Sequence, residues 1–188
     1  MTGQKKLSLH LDFVMKHFAQ ERSALMSLSI DTVLRVLKEY FHGFELDLSL
    51  HLMGETEDLY NSLKSVELYE LVDGWQYSLY VPEKYYSNWK SLHLNQAYMA
   101  GIWYDLDEWK QAEFHNGSRY LIMTVFAGRS GQKADDKDKN KILEIAKKHP
   151  EIDFIVDGGW KIEEDPTMEN VRMVSYSSFW SQFGDSGK

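Results

Sequence analysis

The chain of 188 residues carries 29 acidic and 21 basic side chains, which gives a formal net charge of −8 at pH 7. This acidic balance argues against general nucleic-acid binding, which depends on lysine and arginine to neutralise phosphates. The absence of cysteine excludes disulfides, thiolate metal sites and cysteine catalysis. No apolar run approaches the ~20 residues of a membrane helix, and the interrupted N-terminal segment does not resemble a signal peptide. A cytoplasmic location without membrane contact is therefore expected.

Two helices are predicted near the N-terminus. Apolar residues recur at helical spacing from Ser8 to about Met26. A second apolar stripe is capped by Ser29 or Asp31 and ends at Gly43. Because only a short link separates the two segments, they are expected to form a helical hairpin.

The segment from Phe44 to Leu52 has the cleanest strand pattern in the chain, because apolar and polar residues alternate along it. One face of this strand is predicted to be buried and the other to meet water. The polar face carries Glu45, Asp47, Ser49 and His51. His51 is a candidate acid–base residue, since hydroxyl and carboxylate groups stand on the same face.

The stretch from Val66 to Val81 predicts an antiparallel hairpin. Asp73-Gly74 suits a two-residue turn, because glycine adopts positive φ without a steric penalty. In this register Leu68 pairs with Leu79 on an apolar, core-facing side. The opposite side carries the candidate contact residues Glu67, Tyr69 and Tyr80.

Shorter elements follow the hairpin. Pro82 suits the first turn of a helix through Leu92, and a strand with a close approach at Gly101 is predicted to end at Tyr104. Residues 105–108 have the capping-box pattern of a helix through His115. The remaining predicted elements are a strand over Arg119–Ala127, a helix over Lys141–Lys148, a strand over Ile152–Val156 and a turn at Asp157-Gly158-Gly159.

These elements predict a single globular domain over residues 1–188. Its fold class is α+β, with the N-terminal helix pair and the short helices packed on a largely antiparallel sheet. The polar, glycine-containing segment at about 128–138 is expected to be a mobile loop.

A metal-dependent nuclease or hydrolase would need carboxylates placed around a metal. Glu108 and Lys110 have the E-x-K spacing of some such nucleases, and Asp73 could supply an upstream carboxylate. The seven histidines include no i, i+4 pair with a glutamate between its members. No metal site and no cofactor is therefore predicted.

The acidic charge and the aromatic-rich strands favour binding over catalysis, and the sequence shows no recognisable set of catalytic residues. The leading expectation is a protein that masks a basic protein partner, such as an immunity or antitoxin-like inhibitor or a phage counter-defence factor. Tyrosines would anchor the partner and carboxylates would complement its basic patch, through Tyr69, Tyr80, Glu67, Asp47 and Glu45. The alternatives are a nuclease or hydrolase with a dispersed site and a small-molecule-binding domain with an aromatic pocket.

Overall fold

The computed structural model describes residues 5–10, 39, 44–51, 77–91, 98–127, 132–160 and 168–174. Within these ranges the chain forms seven strands and two helices. The strands are β1 (Lys5–His10), β2 (Phe44–His51), β3 (Tyr77–Pro82), β4 (Tyr98–Tyr104), β5 (Arg119–Met123), β6 (Asp153–Asp157) and β7 (Val171–Val174). The helices are α1 (Glu83–Ser91) and α2 (Asp136–Lys148).

The seven strands form a closed barrel in which neighbours follow the order of the chain and β1 pairs with β7. Every ladder is parallel. Consecutive parallel strands require crossover connections, and all their carboxyl ends meet at one rim of the barrel. In the ranges given above, no helix has the length and apolarity needed to cross a bilayer.

The prediction of a largely antiparallel sheet is therefore wrong. On β3, Tyr80 is paired with His51 of β2 on one side and with Gly101 of β4 on the other. Both edges of β3 are thus occupied by parallel neighbours, so the predicted pairing of Leu68 with Leu79 has no room. The alternating residues that were predicted to form the second arm of a hairpin belong to β3, a strand with a parallel neighbour on each side. The proposed turn at residues 73–74 lies outside the described residues.

The predicted N-terminal helix pair is also corrected. Ser8 to His10, the predicted start of a helix, lie in β1. The apolar residues Leu7 and Leu9 alternate with polar neighbours, so the period of two at this point outweighs the helical pattern that follows it. The rest of the first predicted helix lies outside the described residues. So does the second, apart from Glu39, which is helical.

Several local predictions are confirmed to within a few residues. They are β2, α1, β4, the start of β5, the second half of α2, most of β6 and the glycine turn after it. The helix predicted over residues 105–115 is wrong, because residues 106–111 form turns. The first turn of α2, Asp136 to Asp138, falls inside the segment expected to be a loop. There the Asp135 side chain caps the helix by accepting a hydrogen bond from the backbone N–H of Lys137.

Contacts across the barrel identify the face of each strand that points inward. His51 on β2 and Asp157 on β6 are 3.4 Å apart, although their strands are separated by three ladders along the shorter way round. Three ladders span roughly 14 Å of sheet, so the contact passes through the interior. Side chains of paired residues share a face, and the inner face therefore includes Ser78, Tyr80 and Arg119.

The outer face of the barrel supplies a large part of the apolar core. Tyr120 stacks on Tyr104 and on Phe154, with ring centroids 5.9 Å and 6.0 Å apart. Phe114 packs edge-on against the same group, 5.0 Å from Tyr120. Ile142 of α2 belongs to this core and is fully buried, which is the helix-on-sheet layering that a parallel barrel needs.

Gly101 is required where β4 passes the ring of Tyr80. A methyl group at position 101 would lie 2.6 Å from Cδ1 of Tyr80 and closer still to Cε1. We expect Gly101→Ala to lower the free energy of unfolding by about 1–3 kcal/mol, because overpacking forces neighbours to move. Denaturant unfolding of the single variant and of the Tyr80→Ala, Gly101→Ala pair measures this.

The cost in the pair should be smaller than the sum of the two single costs, because removing the ring removes the clash. Gly117→Ala is the matched control, since Gly117 has φ of 78° and open space around it. Its cost should be about 1 kcal/mol and should not change when Tyr80 is replaced. Additive costs for Gly101→Ala and Tyr80→Ala would contradict this packing.

Candidate functional site at the carboxyl rim of the barrel

The carboxyl rim of the barrel is where a functional site is expected, because the loops that follow parallel strands converge there. Two features of the described structure lie at this rim. One is a chain of polar side chains that runs from the interior to the end of β6. The other is a cavity beside the ends of β3 and β4.

The polar chain joins Ser49, His51 and Asp157. The Ser49 hydroxyl lies 2.9 Å from Nε2 of His51, and Nδ1 of His51 lies 3.4 Å from Oδ2 of Asp157. Ser49 and the His51 ring are buried, whereas the Asp157 side chain is 13% exposed. The chain therefore leads from the barrel interior to a carboxylate at its mouth.

Burial keeps His51 neutral. It lowers the pKa of the ring from 6.5 to about 3, despite the nearby carboxylate, because an imidazolium in the interior would lose its hydration. A neutral imidazole carries a proton on one nitrogen only. The Ser49 hydroxyl is hydrogen-bonded to Nε2, whereas the Asp157 carboxylate lies 3.4 Å from Nδ1 without forming a hydrogen bond to it.

The ends of β5 and β6 are tied together beside Asp157. Thr124 donates its hydroxyl to the backbone oxygens of Asp157 and Gly158. Trp160 donates its indole N–H to the same hydroxyl at 3.0 Å. Gly158 has φ of 91°, a conformation that glycine adopts without strain, so the chain turns sharply after Asp157. These contacts fix the backbone that carries the carboxylate.

A cavity of about 740 Å³ opens at the same rim. It lies where β3 passes into α1 and where β4 passes into the turns after it. Its walls combine carboxylates with aromatic rings. The relevant lining residues are Glu83, Asp105, Asp107, Glu108, Trp103 and Tyr104, with Lys84 as the basic residue among the lining.

Two aromatic residues connect the cavity wall to the barrel. The Tyr104 hydroxyl is hydrogen-bonded to the Glu83 carboxylate, and burial together with this carboxylate raises the pKa of Tyr104. Trp103 lies on the inner face, paired with Leu121. Its buried indole N–H meets no hydrogen-bond acceptor within the described part of the chain. The cavity thus combines carboxylates with the inner-face ring of Trp103 and the hydroxyl of the outer-face residue Tyr104.

The cavity and the polar chain are neighbours. Pro82, which lines the cavity, is two residues beyond Tyr80, and Tyr80 is paired with His51. The Tyr80 ring meets the His51 ring edge-on, with centroids 5.9 Å apart. Two residues of strand rise roughly 7 Å, so the cavity lies about one side-chain layer above the level of His51.

Among the residues predicted to bind a partner, Tyr80 is the one whose side chain the structure describes. Tyr80 is fully buried, so it does not lie on a surface that a protein partner could contact. The polar face of β2 points into the barrel at Ser49 and His51 rather than into water, because the sheet closes on itself. Asp47 and Glu45 are paired with Ser8 and Lys6 in the β1 ladder. Tyr69 and Glu67 lie outside the described residues.

The nuclease candidates have other contacts. Glu108 accepts a hydrogen bond from the backbone N–H of Asp105 at 2.9 Å, which is one half of the predicted capping box. Lys110 forms an ion pair with Asp138 of α2 at 3.0 Å. Asp73 lies outside the described residues. Among those that are described, no group of three or more histidine, aspartate or glutamate side chains is placed to hold a metal ion.

Sequence inspection identifies His51 but misses its partner, because Asp157 has the local pattern of the first residue of a glycine turn. A carboxylate that follows a buried strand and precedes Gly-Gly indicates a site at the strand end, provided that the sheet is parallel. Because the sheet was expected to be antiparallel, this signal did not single out Asp157. No protein-family model and no curated protein matches the chain.

His51 should make the protein sensitive to mild acid. Its pKa is 6.5 when unfolded and about 3 when folded, so its neutral form stabilises the fold above pH 6.5 and that stability is lost as pH falls towards 3. Between pH 6.5 and 5 the free energy of unfolding should fall by about 2 kcal/mol because of His51.

Denaturant unfolding across this range should show a shallower slope of unfolding free energy against pH for His51→Gln than for the wild type. His115→Gln, which changes an exposed ring, should leave the slope unchanged; equal slopes for all three proteins would contradict the assignment.

Proposed function

We propose that the protein binds a small organic cation in the cavity at the carboxyl rim of its barrel. The observation that carries this proposal is the composition of the cavity wall, where four carboxylates face one lysine around a volume of about 740 Å³. Cavities of this size suit small ligands. A ligand with an ammonium, guanidinium or quaternary ammonium group would complement the charge.

The aromatic wall supports the same ligand class. Trp103 lines the cavity and is partly exposed, and the face of such a ring attracts cations by roughly 0.5–2 kcal/mol. The side chain of Asp107 is 79% exposed, so the cavity is entered past a charged rim. Negative charge at an entrance raises the local concentration of cationic ligands and their rate of association.

The proposal predicts charge-dependent binding. Calorimetry with choline and with 3,3-dimethylbutan-1-ol, its uncharged carbon analogue, compares two ligands of nearly the same shape. Choline should bind at least about tenfold more tightly, which corresponds to about 1.4 kcal/mol. Equal affinity for the two compounds, or binding of neither, would contradict the proposal.

Matched variants locate the binding site. Glu83→Gln removes a charge from the wall, yet glutamine can still accept the hydrogen bond from Tyr104. It should weaken choline binding several-fold. Glu144→Gln removes an exposed charge from α2 outside the cavity and should leave the affinity unchanged. A similar loss in both variants would indicate only a general charge effect.

A basic protein partner is a second proposal, which the exposed acidic rim of the cavity favours. Asp107 and Glu108 are exposed, and a lysine or arginine side chain of a partner could enter the cavity in place of a free cation. Masking of such a partner would then be steric and electrostatic.

Affinity capture at low and high salt tests the second proposal. A stoichiometric basic protein should be retained at low salt and released at high salt, because salt screens exposed charges. The combined Glu83→Gln, Asp107→Asn variant should lose that protein, whereas Glu144→Gln should keep it. Capture that is equal in all three proteins would show that the cavity is not the contact surface.

A further inference from the structure

We infer, on the basis of the proposed cation site, that its ligand is a linear diamine with one ammonium group at each end of a short alkyl chain. Organic cations are the general class, and the number and spacing of the carboxylates in the cavity narrow it to a molecule with two charges. Both amino groups of such a molecule are protonated at pH 7, because their pKa lies near that of lysine, about 10.4.

The first support is the negative charge of the cavity wall. Four carboxylates line the cavity, whereas Lys84 is the basic residue among the lining. Lys110 adds a positive charge from outside the cavity, 3.7 Å from the carboxylate of Asp107, although it also pairs with Asp138 at 3.0 Å. Within the described lining an excess of at least two negative charges therefore remains, and a single ammonium group would neutralise only part of it.

The second support is the separation of two of these carboxylates. The Glu83 carboxylate is hydrogen-bonded to the Tyr104 hydroxyl. The Glu108 carboxylate accepts a hydrogen bond at 2.9 Å from the backbone N–H of Asp105, a nitrogen that is bonded to the carbonyl carbon of Tyr104. The two carboxylates thus lie near opposite ends of Tyr104. A ligand that contacts both needs two charged groups joined by a spacer.

The electrostatic environment of Tyr104 agrees with this separation. Burial is the largest cause of the raised pKa of its hydroxyl, Glu83 is the next, and Glu108 contributes least. Because the interaction between charges weakens with distance, this order is the one expected if Glu83 is close to the hydroxyl and Glu108 is further away.

The third support is the apolar surface that accompanies the carboxylates. Pro82, Trp103 and Ala112 line the same cavity, and Trp103 and Ala112 also pack against the core of the barrel. Apolar surface of this kind would cover the methylene groups of a diamine, whose removal from water is favourable in proportion to the area buried. The lining therefore suits both the charged ends and the alkyl chain.

Calorimetry with 1,4-diaminobutane and with butan-1-amine tests the second charge, because the two compounds share one ammonium group and the chain length. The diamine should bind the full-length protein at least about fivefold more tightly, which exceeds the factor of about two that its two equivalent ends give by statistics alone. An affinity ratio of about two or less would overturn the diamine, and choline binding would then show that the cation site itself stands. Binding of neither amine and of no choline would contradict both.

The length of the alkyl chain tests the spacing. Each diamine from 1,3-diaminopropane to 1,6-diaminohexane is compared with the monoamine of the same chain length, which removes the contribution of the added methylene groups. The advantage of the diamine should pass through a maximum, because a short chain cannot span the two carboxylates and a long one lowers the effective concentration of the second end. A constant advantage along the series would contradict binding at two points.

Variants locate the two ends of the ligand. In Glu83→Gln and Glu108→Gln the new amide oxygen can still accept the hydrogen bond from Tyr104 or from the backbone of Asp105. Each variant should reduce the advantage of 1,4-diaminobutane over butan-1-amine to about the statistical factor of two. Glu144→Gln, the control on α2, should keep the full advantage. A full advantage in both cavity variants would overturn the assignment of these two carboxylates.

Discussion

Closure of an all-parallel sheet is the constraint on which the rest of this structure depends. Once β1 pairs with β7, every strand has an inner and an outer face and no free edge. The outer face is apolar and packs with α2, as in the stacked Tyr104, Tyr120 and Phe154 rings. The inner face combines apolar residues such as Leu121 with polar ones, including Ser49, which would face water in an open sheet.

Burial of these polar groups explains how the interior is organised. A buried polar group is costly unless it is hydrogen-bonded or paired, and several inner residues meet this requirement with one another. Arg119 contacts Asp153 at one end of the barrel, and Ser49, His51 and Asp157 form a chain towards the other end. The low pKa of His51 is a direct consequence, since its charged form would be strongly desolvated.

The same geometry places chemistry at the carboxyl rim. The parallel arrangement brings the ends of β3, β4 and β6 to one side, although these strands are far apart in sequence. A charged wall from the segments after β3 and β4 therefore lies near a carboxylate from the end of β6. Thr124 and Trp160 stiffen the backbone beside that carboxylate. The cavity and its carboxylate-rich wall motivate the cation-binding proposal.

The sequence by itself determined the local elements where one signal dominated. Alternation located β2, proline located the start of α1, and the glycine pair at 158–159 located the turn after β6. It also identified His51 as a candidate acid–base residue. Only the tertiary structure decided that the strands are parallel and that the polar face of β2 is internal. The physical reason is that a period of two specifies two faces without specifying which neighbours pair or what covers each face. Asp157 became a partner of His51 through a contact across the barrel, and no local pattern records a contact between residues 106 positions apart.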